Sequence, residues 1–159
     1  MKEIRVLLAD DESVILRGLK KLISWENLWL SIVGEASDGL ELKQQIAEQD
    51  PDLIVTDISM PGCTGIDIIR ETHEAGRSVK VIFISAYQEF TYAQQALQYG
   101  ALDYLVKPVN KSQLEQVVTK AVSLFVKSWR RTYQRKAEPL RTEEPQINHR
   151  RVARQADGR

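Results

Sequence analysis

The sequence predicts an α/β protein: a parallel sheet with helices on both faces. Three observations carry that class. Short β-branched runs alternate with helical patterns five times between Ile4 and Phe125, and such alternation builds βαβ units with right-handed crossovers. Three of the runs are apolar throughout, Val6-Leu7-Leu8, Leu53-Ile54-Val55 and Val81-Ile82-Phe83-Ile84, as strands covered on both faces are. Finally, glycines, a proline and an aspartate stand where helices should start and stop.

Ile4–Ala9 reads as the first strand, followed by a helix whose apolar stripe is Val14, Ile15, Gly18, Leu19, Leu22 and Ile23. Ser31–Ala36 is the second strand. Asp38 is placed to cap the second helix, which Pro51 stops. Leu53–Asp57 is the third strand; Gly65 opens the third helix and Gly76 closes it. Lys80–Ser85 is the fourth strand, Gly100 closes the fourth helix, and Leu102–Val106 is the fifth strand. The last helix starts near Lys111, with Leu114, Val117, Val118, Ala121 and Phe125 as its inner stripe, and meets no breaker before Pro139. Run to Lys136 it would be about 39 Å long, roughly twice what covering short strands requires. Val122, Val126, Trp129 and Tyr133 prolong an apolar strip at spacings of four, three and four residues. A short coiled-coil seam and a frayed, solvated extension both account for it. Beyond Pro139 the chain is polar without period, and reads as linker, disorder or a cloning remnant.

Composition excludes several classes. The 159 residues carry 22 Lys+Arg against 22 Asp+Glu, so the net charge is zero. That rules out a uniformly basic nucleic-acid binder and a strongly acidic disordered chain. The balance conceals a division, because residues 1–126 sum to −6 and residues 127–159 to +6. The single cysteine, Cys63, excludes an internal disulfide framework and a cysteine zinc cage. No apolar run approaches the roughly 20 residues of a membrane span, and the start lacks a signal-peptide stretch. A soluble, cytoplasmic protein that does not engage membrane is expected.

In an open α/β sheet the site belongs at the carboxyl ends of the strands. Strand one ends in Asp10-Asp11-Glu12, strand three in Asp57, strand four in Ser85-Ala86 and strand five in Lys107-Pro108. Each has an ordinary explanation: Asp11 as a helix cap, Asp57 as a turn residue, Ser85 as a strand-end hydroxyl, Lys107 as a solvated lysine. Their convergence argues otherwise, since clustered carboxylates repel unless a cation joins them. Hard oxygen ligands with room for water suit Mg²⁺.

The segments Leu8-Ala9-Asp10-Asp11-Glu12, Val55-Thr56-Asp57-Ile58-Ser59-Met60-Pro61-Gly62, Ile84-Ser85-Ala86 and Gly100–Pro108 together resemble the receiver domain of two-component response regulators. Trp25–Gly34 and Ser85–Phe90 resemble receivers that precede an AraC-type DNA-binding domain. The resemblance implies a flavodoxin-like, doubly wound sheet in strand order 2-1-3-4-5. It implies that Asp57 accepts a phosphoryl group from the histidine of a sensor kinase. Mg²⁺ (or Mn²⁺) would be held by Asp11, Asp57 and the backbone carbonyl of Ser59, with Asp10 acting through water. Lys107 would pair with phosphoryl oxygens, and Pro108 would follow a cis peptide. Ser85 and Tyr104 would form the switch that reshapes the surface of helix 4, strand 5 and helix 5, the face of an expected homodimer. The alternative for Tyr104 is a half-buried strand aromatic. Such a domain is a phosphoacceptor and not an enzyme, beyond phosphorylating itself from small donors and losing the phosphoryl group again.

The chain departs from the family at Ser59, which is small, at Tyr87, which is bulky, and at Cys63, where an apolar residue is usual. Residues at the Ser59 and Tyr87 positions tune how fast water reaches the acyl phosphate in such domains, and Cys63 reads as a buried or loop thiol. His73 and His149 are isolated and read as surface residues. The expected division is a receiver over 1–126 and a basic extension with a disordered tail over 127–159. No helix-turn-helix pattern falls in residues 126–159. A DNA-binding output would then lie outside the chain, or the protein is a stand-alone phosphorelay or protein-binding receiver without such an output. A Rossmann enzyme lacks its Gly-rich turn here, and a haloacid-dehalogenase phosphatase lacks its Asp-x-Asp. Lys127, Arg130, Arg131, Arg135 and Lys136, interleaved with Trp129 and Tyr133, are compatible with DNA or acidic lipid binding; a solvated face is the simpler reading.

Overall fold

The computed structural model describes residues 2–86 and 90–137; Tyr87 and the tail after Ala137, His149 included, lie outside them. Five parallel strands, β1 (Ile4–Ala9), β2 (Leu30–Ala36), β3 (Leu53–Asp57), β4 (Lys80–Ser85) and β5 (Asp103–Val106), form one sheet in the order β2-β1-β3-β4-β5. The helices between and after them are α1 (Ser13–Leu22), α2 (Gly39–Gln49), α3 (Gly65–Glu74), α4 (Phe90–Gln98) and α5 (Lys111–Ala137). This is the flavodoxin-like order expected from the resemblance, with the long last helix.

Strand periodicity separates two cores. Leu7, Ala9, Ile54, Val81 and Phe83 face one side and pack with Leu42 and Ile46 of α2, Ile66, Ile68 and Ile69 of α3, and Ala93 and Ala96 of α4. The alternate residues Val6, Leu8, Leu53, Val55, Ile82 and Ile84 are equally buried and point to the opposite face. There the buried Leu16 and Leu19 of α1 and Leu114, Val117, Val118 and Ala121 of α5 remain to cover them. On α1 the stripe differs from expectation. Val14 is exposed and Leu16 is buried, because Leu16, Leu19 and Ile23 share one side at spacings of three and four.

Helix ends follow local chemistry. Asp38 accepts from the Glu41 N–H at 2.7 Å, capping α2 as predicted. Asp50, not a glycine, takes the left-handed position after α2 at φ 46°, with Pro51 next. Thr64 and Asp67 close a reciprocal capping box at the start of α3, while Gly76 and Gly100 turn the chain at φ 72° and 93°. A short 3-10 turn, Glu26–Leu28, precedes β2 and leaves Trp29 left-handed at φ 66°. The edge strand β2 carries an irregularity: Val6 pairs with Ile32 but Leu7 with Gly34, so Val33 is skipped.

The chain divides into two compact units, Met1–Leu124 and Phe125–Arg159. In the second, the described part is the end of α5, where the Phe125 and Trp129 rings lie 6.2 Å apart. Among the described residues no helix is long and apolar enough to cross a membrane.

Candidate functional site

The carboxyl ends of β1, β3, β4 and β5 bring the predicted residues together because adjacent parallel strands end at the same level. Asp57 is the last residue of β3 and pairs in register with Ile84, one residue before Ser85. Asp10 follows Ala9, which pairs with Thr56. Lys107 follows β5 and is tied to β4 by its own N–H, which donates to the Ser85 carbonyl at 2.9 Å. The Lys107–Pro108 peptide is cis, as expected.

At the centre, the Lys107 ammonium lies 2.8 Å from Asp10 Oδ2 and 2.8 Å from Asp57 Oδ2. Asp10 is wholly buried and Asp57 nearly so, while Asp11 is exposed. The second oxygens are held by backbone. Asp10 Oδ1 accepts from the Glu12 N–H at 2.9 Å, and Asp57 Oδ1 from the Ser59 N–H at 3.1 Å. Burial pushes the Asp10 carboxyl up, and the Lys107 ammonium opposes that shift. Burial would lower the Lys107 ammonium, but Asp10 and Asp57 together hold it above its ordinary value.

The residues fit a divalent cation. Asp10, Asp11 and Asp57 each offer a carboxylate oxygen, all within 4.8 Å of one another. Among the described residues, the buried Asp10 Oδ2 has no partner besides the Lys107 ammonium. Oxygen-only ligands in a half-open acidic pocket match a hard cation that keeps water. Ser59 is exposed two residues past Asp57, where its backbone adjoins the pocket.

Ser85 is buried at the end of β4. Tyr104, on β5 opposite Phe83, is half-buried and packs against the α2–α3–α4 core. Two supports carry no motif of their own. Thr56 is a buried polar residue in an apolar strand, and its hydroxyl donates to the Asp57 carbonyl at 2.9 Å. The signal was a hydroxyl where both faces demand apolar side chains. Gly65 lets α3 approach the loop after Asp57: a Cβ there would stand 2.4 Å from the Phe83 ring and 3.1 Å from Ile58 Cα. Cys63 is half-buried against Gly39, and burial pushes its thiol up, which makes it a poor nucleophile. His73 is exposed on α3, away from these groups.

Comparison with known proteins agrees with this arrangement. The family described as response regulator receiver domain matches residues 6–119. The transcriptional regulatory protein YesN of Bacillus subtilis is 40% identical over 110 residues, 69% of this chain and 30% of that protein. The transcriptional regulatory protein HptR of Staphylococcus aureus is 36% identical over 118 residues, 74% of this chain and 46% of that one. The chain thus spans less than half the length of these curated relatives. Among solved structures, the REC domain of AraT, a response regulator from Geobacillus stearothermophilus, superposes with a TM-score of 0.76 at 32% identity, covering 79% of this chain and 98% of that one. A two component transcriptional regulator AraC from Clostridium phytofermentans gives 0.72 at 26% identity, over 79% and 97%.

Proposed function

The chain belongs to the response regulator receiver domain family, and from that premise we propose that Asp57 accepts a phosphoryl group from the phosphohistidine of a sensor kinase. One observation carries the reading: Lys107 bridges Asp10 and Asp57 at 2.8 Å each, in a pocket with Asp11 at its rim. A carboxylate oxygen of Asp57 attacks phosphorus as the P–N bond to histidine breaks, leaving an acyl phosphate on the strand end. Lys107, already within reach of Asp57 Oδ2, moves its ammonium onto a phosphoryl oxygen. Asp11, Asp57 and the Ser59 carbonyl would hold Mg²⁺ (or Mn²⁺), with Asp10 acting through water; the bound ion would neutralise charge on the transferring group.

The switch follows from what lies one strand away. The new phosphoryl oxygens are strong acceptors, and the Ser85 hydroxyl moves toward them. Tyr104 turns into the vacated space. The surface of α4, β5 and α5 then changes, and with it pairing between copies and an output on transcription through a DNA-binding domain outside these 159 residues. The receiver proper occupies 1–126 in this reading, with 127–159 as extension.

The decisive experiment is intact-mass measurement after incubation with Mg²⁺ and a small phosphodonor. One added phosphoryl group is expected on the wild type and none on Asp57→Asn. An unchanged wild-type mass, or equal labelling of both proteins, sinks the assignment.

A further inference from the structure

The last turns of α5 hold a charge pattern that the phosphorylation site does not explain. From Phe125 to Ala137, the described part of the second unit, the helix carries five cations and no carboxylate. Lys127, Arg130, Arg131, Arg135 and Lys136 are all exposed. Among the described residues none of them forms an ion pair; those of α5 involve Lys111 and Lys120, nearer its start. The partial negative charge at a helix end accounts for Arg135 and Lys136 in the last turn. It fades within that turn, and leaves Lys127, Arg130 and Arg131 unexplained.

At about 100° per residue, Arg130, Lys127, Arg131 and Arg135 lie in that order across an arc of about 140°. The exposed Gln134 falls among them. Lys127 and Arg131 stand four residues apart, as do Arg131 and Arg135, a spacing at which like charges repel and weaken the helix. A solvated face has no need of that repulsion, and a single acid among these positions would relieve it. A polyanion laid along the arc offsets all of it at once.

We propose that the Lys127–Arg135 arc contacts the phosphate backbone of duplex DNA without reading base sequence. Its eight steps advance about 12 Å along the helix. A duplex carries one charge for about every 1.7 Å of its axis, so each cation finds a phosphate. A lipid surface fits less well. Trp129 and Tyr133 would enter it from the far side of the helix, and the centre of the cation arc would then point away from the headgroups. The contact does not depend on the chemistry of Asp57, so either reading can fail alone.

The test uses the full chain and a labelled duplex of about 20 base pairs and arbitrary sequence, followed by fluorescence anisotropy. Binding is expected at about 50 mM salt, with log K falling against log salt at a slope of roughly −3 to −4 for four phosphates. Lys127→Gln/Arg131→Gln/Arg135→Gln should weaken it at least about tenfold and flatten the slope by about 3. Glutamine forms helix about as well as the residues it replaces. Arg131→Lys/Arg135→Lys, which keeps the charges, should retain binding within about threefold. Lys2→Gln/Arg17→Gln/Lys21→Gln makes the same change of net charge in the first unit and should leave binding within about twofold. No binding by the wild type, salt-independent binding, or equal loss in all the variants overturns the proposal. So does full affinity in the arc variant, which places binding elsewhere in the chain. Binding to phosphatidylserine vesicles in place of DNA, lost in Trp129→Ala/Tyr133→Ala, assigns the segment to lipid and overturns it as well.

Discussion

Lys107 is a single side chain holding two acids apart. Its ammonium makes an ion pair with each of Asp10 and Asp57, so removing it takes away the cation that two buried carboxylates share. Lys107→Met is expected to destabilise the protein by about 1–3 kcal/mol, measured by urea unfolding in EDTA, and Mg²⁺ should restore part of the loss. A bound cation and a proton would compete for the same acidic cluster. Because Asp10 sits above its ordinary 3.8, the native state takes up a proton before the unfolded chain does as pH falls. Between the folded and unfolded values stability therefore rises on acidification from this group, the reverse of a salt-bridged acid with a lowered value. Mg²⁺ should accordingly raise the melting temperature at neutral pH and lose that effect as Asp10 protonates. Asp10→Asn should flatten the pH dependence; an equally steep response in the variant would place it elsewhere.

At the scale of the element, α3 is governed by its first turn. Thr64 caps it and Asp67 answers, so Thr64→Ala should cost about 1 kcal/mol. The hydrogen bond from the Thr64 hydroxyl is the main cause that lowers the Asp67 carboxyl. A lowered folded value means a contribution present above pH 3.8 and lost as pH falls through the folded value. The penalty of Thr64→Ala should thus be full at neutral pH and shrink in acid. A harsher test of the same region is Gly39→Ala, whose Cβ would fall 2.5 Å from Cys63 Cβ and 2.7 Å from its carbonyl oxygen. Overpacking of this kind costs about 1–3 kcal/mol. Chemical denaturation of each variant gives the numbers directly.

For the whole molecule, the proposed switch predicts where motion appears. Adding Mg²⁺ and a phosphodonor should alter amide exchange in α4, β5 and α5 while leaving α2 unchanged; changes confined to the loops around Asp57 would remove the switch. The sheet and its helices were legible because strands covered on both faces have no polar option, as in Val81-Ile82-Phe83-Ile84. The site was legible because Asp10, Asp11, Asp57 and Lys107 stand at strand ends, where parallel topology brings them together. What escaped depends on packing. The α1 stripe shifts from Val14 to Leu16 because the helix turns to the face that β1 offers, and a periodic pattern leaves that rotation open. Likewise Gly39 and Cys63 lie far apart in sequence, so their contact exists only once α2 has docked beside the loop after β3.

The skipped residue in β2 bears on solubility. β2 is the outer strand of the sheet, and an outer strand offers its free backbone groups to any passing chain. Omitting Val33 from the ladder breaks the even row of donors and acceptors that an incoming strand would have to match. Just beyond it, Glu35 pairs with Lys20 across the same margin and adds charge to a place where apolar, flat sequence would invite stacking. That border of the sheet is thereby a poor template for sideways growth by an added strand.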